Sequence, residues 1–179
     1  NAVPGLTNRL LSLVVRAAAV TFESTQSFFG DRAFVSGNPV RPEFLNDDVV
    51  AATAVADGGD GVHVLVFGGS QGAHAINVAM SDAAPTLAAA RPAPRVVHQT
   101  GDRDVDSVRA AYRRAGLPAE VESFFYDMGR RLRLADLVVC RAGATTLAEL
   151  TAAGKPAILI PLPTATDDLL GGEKWGVGP

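Results

Sequence analysis

The residues best placed to do chemistry lie in VLVFGGSQGAHAIN (residues 64–77), where an apolar run breaks into a glycine-rich turn and passes at once into helix-forming residues. That order sets free backbone N–H groups, glycines without a Cβ and the Ser70 hydroxyl at the start of a helix. Unpaired amides and the positive end of the helix dipole both favour an anion there, so the turn reads as a phosphate site. Spacing separates three motifs that compete for it. A G-x-G-x-x-G dinucleotide fingerprint fails because Ser70 stands where the second glycine belongs, and a Walker A loop fails because no Lys follows. The third, G-x-S-x-G, fits Gly68 to Gly72 and would be the nucleophile elbow of a hydrolase. That fold orders its triad Ser, Asp or Glu, His, and the only histidines are His63, His74 and His98, with Asp82 the only carboxylate between Ser70 and His98. A triad squeezed into so short a stretch is implausible, which leaves the anion site.

A second glycine-to-helix junction follows in CRAGATTLAEL (residues 140–150). Gly143 permits a tight turn, the amides of Ala144, Thr145 and Thr146 open a helix, and Glu149 lies about one turn further in. Two anion-accepting helix starts suit a diphosphate, and a nearby carboxylate suits sugar hydroxyls. Alternatively, Glu149 only complements the helix dipole, worth about 0.3–1 kcal/mol.

These junctions need a scaffold, and the chain from Gly61 onward supplies an alternating one. Strands are expected at Val62–Phe67, Arg95–Gln99, Glu120–Phe124, Leu137–Cys140 and Ala157–Pro161, with helices near Gln71–Ala90, Val105–Ala115, Met128–Ala135 and Thr145–Ala153. This order predicts an α/β fold with a doubly wound parallel sheet, whose ligands bind beyond the carboxyl ends of the strands. Residues 45–60 are small, acidic and glycine-containing, and read as a linker. Before them, Leu6–Val15 looks helical, and Ala17–Phe22 and Ala33–Ser36 look like strands. Those pieces are too few to enclose a core, so residues 1–44 read as the tail of another domain. The first residue, Asn1, enters directly into an amphipathic pattern, and the alternation dissolves after Leu169. The expectation is a fragment.

Composition narrows the class. With 47% hydrophobic and 20% charged residues the 179-residue chain is globular, and a net charge of −3 offers no basic field for nucleic acid. Arg130, Arg131 and Arg133 read as a solvated helix face. The single cysteine, Cys140, excludes an internal disulfide and reads as a small buried residue, and His98 reads as a packed strand histidine. No apolar run approaches the roughly 20 residues that span a bilayer, and Leu10–Val15, flanked by Arg9 and Arg16, makes a poor signal peptide. Asp102, Asp104 and Asp106 alternate, but Ser107 and Arg113 stand where an EF-hand needs Gly and Glu.

Four strings occur in an order that resembles a known family: NAVPGLTN (1–8), SGNPVR (36–41), the stretch 64–77, and the stretch 140–149 continuing through LTAAGKP (150–156). Together they resemble the MurG family, the peptidoglycan N-acetylglucosaminyltransferases that convert lipid I to lipid II, and the likeness covers almost everything from Asn1 to Asp168. The resemblance implies a GT-B architecture, two Rossmann-like domains facing across a cleft, with residues 1–44 ending the acceptor domain and 61–179 forming the UDP-sugar donor domain. It implies that Ser70 contacts the donor diphosphate, that Arg41 contacts the nucleotide diphosphate from the interdomain segment, and that the backbone at Phe125 meets the uracil. It further implies that Ala144, Thr145, Thr146, Leu147, Ala148 and Glu149 form the helix start under the diphosphate, with Glu149 on the ribose hydroxyls, and that Asn1 lies at the cleft. Read without the resemblance, Phe125 is a core residue and Arg41 an exposed loop arginine.

The family's proposed catalytic histidine would lie upstream of Asn1, so no catalytic residue is assigned in this chain. After TDD (166–168), Leu169 and Leu170 interrupt the family's polar stretch, whose glutamine contacts the donor sugar. The implied reaction is inverting transfer from UDP-N-acetylglucosamine to undecaprenyl-linked lipid I, without cofactor or metal, at the cytoplasmic face of the bacterial inner membrane. Peripheral membrane contact would come mainly from acceptor-domain surface. The alternative is a non-catalytic UDP-sugar-binding half that needs a separate acceptor-binding subunit.

Overall fold

The central strands of the main sheet are short, mostly apolar runs whose side chains alternate between two covered faces. The computed structural model describes residues 4–45 and 61–162. Its first elements are α1 (Leu6–Leu11), β1 (Ala18–Val20), α2 (Glu23–Gln26) and β2 (Ala33–Val35). Strands β1 and β2 pair in parallel as a separate two-stranded sheet. Helix α1 buries no residue, and Leu6, Leu10, Leu13 and Val14 in and after it are exposed.

From residue 63 the chain runs β3 (His63–Phe67), α3 (His74–Ala89), β4 (Arg95–Gln99), α4 (Val105–Ala115), β5 (Ala119–Glu122), α5 (Met128–Leu134), β6 (Leu137–Arg141), α6 (Ala144–Ala152) and β7 (Ala157–Ile160). The five strands are parallel, in the order β5-β4-β3-β6-β7. Chain progression reverses between β3 and β6, which lie side by side, so the crevice at their carboxyl ends is the topological switch point. The expected doubly wound parallel α/β sheet is the fold found.

Period-2 alternation along the central strands builds both cores. Val64 and Val66 of β3 pack with Ile76 of α3, Val108 and Tyr112 of α4, and Val139 of β6. Leu65 and Phe67 face the other way, onto Leu132 of α5, Val138 and Cys140 of β6, and Leu150 of α6. Phe44, only 2% exposed, joins this second cluster from the segment that precedes the tract 46–60. Gly129 makes room for that segment, since a Cβ there would press on the Glu43 side chain and carbonyl. The expected linker falls almost wholly on 46–60, outside the described residues.

Three expectations shift for local reasons. Helix α3 starts at His74, not Gln71, because Gly69 and Gly72 hold φ values of +92° and +74° that no right-handed helix contains. Strand β5 ends at Glu122, before Phe125, whose N–H donates to a side chain and not to a neighbouring strand. The arginine cluster is not a solvated face. Arg131 is held by Asp127 and Glu120 at 2.6 and 2.8 Å, Arg130 approaches Asp127 at 3.8 Å, and Arg133 donates to the Glu43 carbonyl.

Glycine is required most strictly at Gly72, where positive φ coincides with a backbone contact: a Cβ would overlap the Thr100 carbonyl. Gly116, at φ +69° after α4, has open space around it. Gly116→Ala is therefore expected to cost about 1 kcal/mol of conformational strain. Gly72→Ala adds an overlap with backbone that cannot yield, and is expected to cost about 3 kcal/mol or more. Urea denaturation of both variants checks the ranking, and equal losses would show that the turn does not press on β4 as described.

Candidate functional site

The first half of the site is the turn after β3. Gly72 N–H closes it on the Gly69 carbonyl at 3.1 Å, and Ser70 stands exposed at its crest. Helix α3 then begins from Ala73, whose methyl group cannot cap it. The first bonds back into the helix are from Ile76 and Asn77 N–H to the Ala73 carbonyl at 2.9 and 3.0 Å, which leaves the preceding amides for an anion. The second half repeats this design after β6. Gly143 is the N-cap of α6 with no side-chain cap, and Leu147 N–H makes the first helical bond, to the Gly143 carbonyl, at 2.9 Å. Ala144, Thr145 and Thr146 precede that bond. The strands that deliver the two turns are the neighbours at the switch point, so both positive helix ends rise at one crevice.

Around these turns the structure brings several expected residues together. Arg41 donates from Nε and Nη2 to Glu149 Oε1 at 3.1 and 3.0 Å, and its Nη1 lies 3.0 Å from Glu43 Oε1. Its guanidinium also covers the Phe44 ring at 4.6 Å, so it is a partnered group and not a free loop arginine, although its side chain is half exposed. Glu149 is buried on α6, and both bonds from Arg41 end on Oε1, which leaves Oε2 without a donor among the described residues. Leu147 and Ala148 are half-buried within α6. Phe125 is only 4% exposed, its ring lies under the Arg131 guanidinium at 3.7 Å, and its N–H donates to the Gln99 side chain, so its side chain is buried. Asn1 lies outside the described residues.

Residues 63–171 match the model of the glycosyltransferase family 28 C-terminal domain. The chain belongs to glycosyltransferase family 28. Among relatives in this family, it is 47% identical over 169 residues to the UDP-N-acetylglucosamine--N-acetylmuramyl-(pentapeptide) pyrophosphoryl-undecaprenol N-acetylglucosamine transferase of Geobacter sulfurreducens. It is 48% identical over 169 residues to the protein of that name from Syntrophus aciditrophicus. Each alignment covers 94% of this chain and 46% of the relative, so the chain spans about half the length of these curated relatives. A crystal structure of Acinetobacter baumannii MurG superposes with a TM-score of 0.67 at 32% identity, covering 93% of this chain and 45% of that one.

In this family 28 chain the glycine-rich turn is braced by polar residues whose roles the sequence alone does not disclose. Asn77 Nδ2 donates to the Thr100 carbonyl at 2.9 Å and to Asp104 Oδ2 at 2.8 Å. Both its N–H groups are thus used, so Asn77 Oδ1 must accept, and His98 Nε2, 3.0 Å away, must donate. His98 Nδ1 then accepts the Tyr112 hydroxyl proton at 2.7 Å. The line reaches the surface at His74, whose Nδ1 is 2.9 Å from Asp104 Oδ2. Hydrogen bonds from Asn77 and then His74 hold the Asp104 carboxyl below its ordinary pKa. Gln99, 2% exposed, was also missed; it ties Gly69 to Phe125. The available signal was a pair of polar residues, His98 and Gln99, closing a strand covered on both faces.

Burial of His98 lowers its pKa from 6.5 to about 4, so the folded chain holds it neutral where an unfolded chain would protonate it. The sign follows directly: the unfolded state binds the extra proton between those values, so stability is full above pH 6.5 and falls as pH drops toward 4. The loss attributable to His98 is expected to be about 3 kcal/mol at most. Urea denaturation between pH 7.5 and about 4.5 measures it. His98→Gln is expected to be less stable overall with a flatter profile in that window. An unchanged slope would remove His98 as its source.

Proposed function

We propose that this chain forms the nucleotide-sugar half of an inverting N-acetylglucosaminyltransferase that moves N-acetylglucosamine from UDP-N-acetylglucosamine to undecaprenyl-diphosphate-linked muramoyl-pentapeptide. One observation carries the reading: two uncapped helix starts, after β3 and after β6, meet at the switch-point crevice in a chain that belongs to glycosyltransferase family 28. The names of relatives 47 and 48% identical to it specify the donor and the acceptor lipid.

In this reading the amides at Ala73–Ala75 and Ala144–Thr146 hold the diphosphate, with the Ser70 hydroxyl donating to it. Glu149 accepts from the ribose hydroxyls, the Phe125 backbone meets the uracil, and Arg41 adds a positive charge beside the diphosphate. Asn1 borders the cleft, and residues 1–44 complete an acceptor domain in a two-domain GT-B enzyme. The acceptor hydroxyl, giving up its proton to a general base or to water, attacks the anomeric carbon as the bond from that carbon to the diphosphate oxygen breaks, and configuration inverts. Negative charge grows on the departing UDP, where preorganised amides and the guanidinium stabilise it most. The enzyme would act from the cytoplasmic face of the bacterial inner membrane as a peripheral protein. Among the described residues no helix is long and apolar enough to cross a membrane, which is compatible with that placement.

Calorimetric titration of the 179-residue chain with UDP and with UDP-N-acetylglucosamine tests the donor half. Binding of both supports the reading, and silence with UDP removes it. A lipid I transfer assay separates an active enzyme from a binding half that requires a second subunit. Ser70→Ala in a full-length enzyme is expected to lower turnover by about 10²–10³, the usual effect of losing one preorganised donor to developing charge. Unchanged turnover would take Ser70 out of the mechanism.

A further inference from the structure

We infer that Gln99 is a positioning residue that locks the phosphate turn to the base-side segment and so controls base selectivity as well as affinity. This rests on the nucleotide reading above. Gln99 is the last residue of β4, and its side chain spans two loops that no backbone bond joins directly. Its Nε2 donates to the Gly69 carbonyl at 3.0 Å, and its Oε1 accepts from Phe125 N–H at 2.8 Å. The amide orientation follows from the partners, since the flipped amide would set carbonyl against carbonyl and N–H against N–H.

Both partners need such a strut. Gly69 sits at φ +92°, and an added Cβ there would meet nothing within 4 Å, so its carbonyl is held by hydrogen bonds alone, from Gly72 N–H and from Gln99. Phe125 is held through its ring by Arg131, but its neighbours Phe124 and Tyr126 are 43% and 96% exposed. Gly101 N–H holds the segment before Phe125 through the Ser123 carbonyl at 3.0 Å, and the Gln99 amide adds the direct link from the Phe125 backbone to the turn. With its N–H committed to Gln99, Phe125 can offer a base only its carbonyl. A carbonyl accepts from the N3–H of uracil and opposes the N3 lone pair of cytosine, so its exact placement relative to a diphosphate held at the turn decides between the two bases.

The test titrates UDP and CDP into the 179-residue chain as wild type, Gln99→Leu and Gln99→Glu. Leucine removes both bonds; glutamate keeps the acceptor for Phe125 and loses the donor to Gly69. UDP and CDP carry the same charge, so their ratio is insensitive to the added carboxylate. Wild type is expected to prefer UDP. Gln99→Leu is expected to lose about tenfold in UDP affinity, the scale of one or two hydrogen bonds, together with most of the preference. Gln99→Glu breaks the link at the Gly69 end alone and is expected to lose both affinity and most of the preference. Wild-type selectivity in either variant overturns the inference while leaving the nucleotide reading intact. A wild-type chain that binds neither nucleotide overturns both. If Gln99→Leu fails to fold, amide exchange in the ligand-free wild type decides: a protected Phe125 amide is expected, and rapid exchange there overturns the strut.

Discussion

The close approach of two backbones, the turn 68–72 against the end of β4, is the contact on which the rest of this structure depends. It is reciprocal: a Cβ on Gly72 would overlap the Thr100 carbonyl, and a Cβ on Gly101 would overlap the Gln71 carbonyl. Only glycine at both places lets the turn lie down on the strand end. Once it does, the start of α3 is fixed at Ala73, Gln99 comes within reach of Gly69, and the Thr100 carbonyl meets the Asn77 side chain. Packing, hydrogen bonding and the direction of the exposed amides all follow from that one contact.

The opposite side of the crevice is organised by charge rather than by close packing. Phe44 inserts into the core between α5 and α6, which brings Arg41 alongside Glu149, 108 residues away in sequence. Arg41 has carboxylates on both sides, Glu43 and Glu149, so the three groups together carry one formal negative charge. Glu149 is buried and Arg41 is half exposed, so the carboxylate is the fixed member and the guanidinium the adaptable one. That asymmetry suits a site in which a sugar hydroxyl and an anionic phosphate arrive together.

Much of this was legible in the sequence because its signals are local. Apolar runs such as residues 63–67 and 137–140 bounded by glycine turns specify buried parallel strands, and the two glycine-to-helix junctions specify where the uncapped helix starts lie. What was not legible involves partners distant in sequence. Gln99 reaches Gly69 and Phe125 across 30 and 26 residues, and nothing at position 99 alone distinguishes a strut from a packed polar side chain. The arginines of α5 look solvent-facing by composition, yet Arg131 and Arg133 are drawn inward by Phe125, Glu120 and the Glu43 carbonyl. Helix α3 starts three residues later than helix-forming composition suggests, because composition says nothing of the positive φ that Gly72 must adopt.

The central claim is that the turns after β3 and β6 grip a single diphosphate between them. A crystal structure of the chain with UDP tests it most directly. The predicted result is a diphosphate whose oxygens meet amides of both turns, at Ser70 and at Ala144–Thr146, with the ribose beside Glu149. A UDP that touches only one turn, or that binds away from the crevice between β3 and β6, would contradict it.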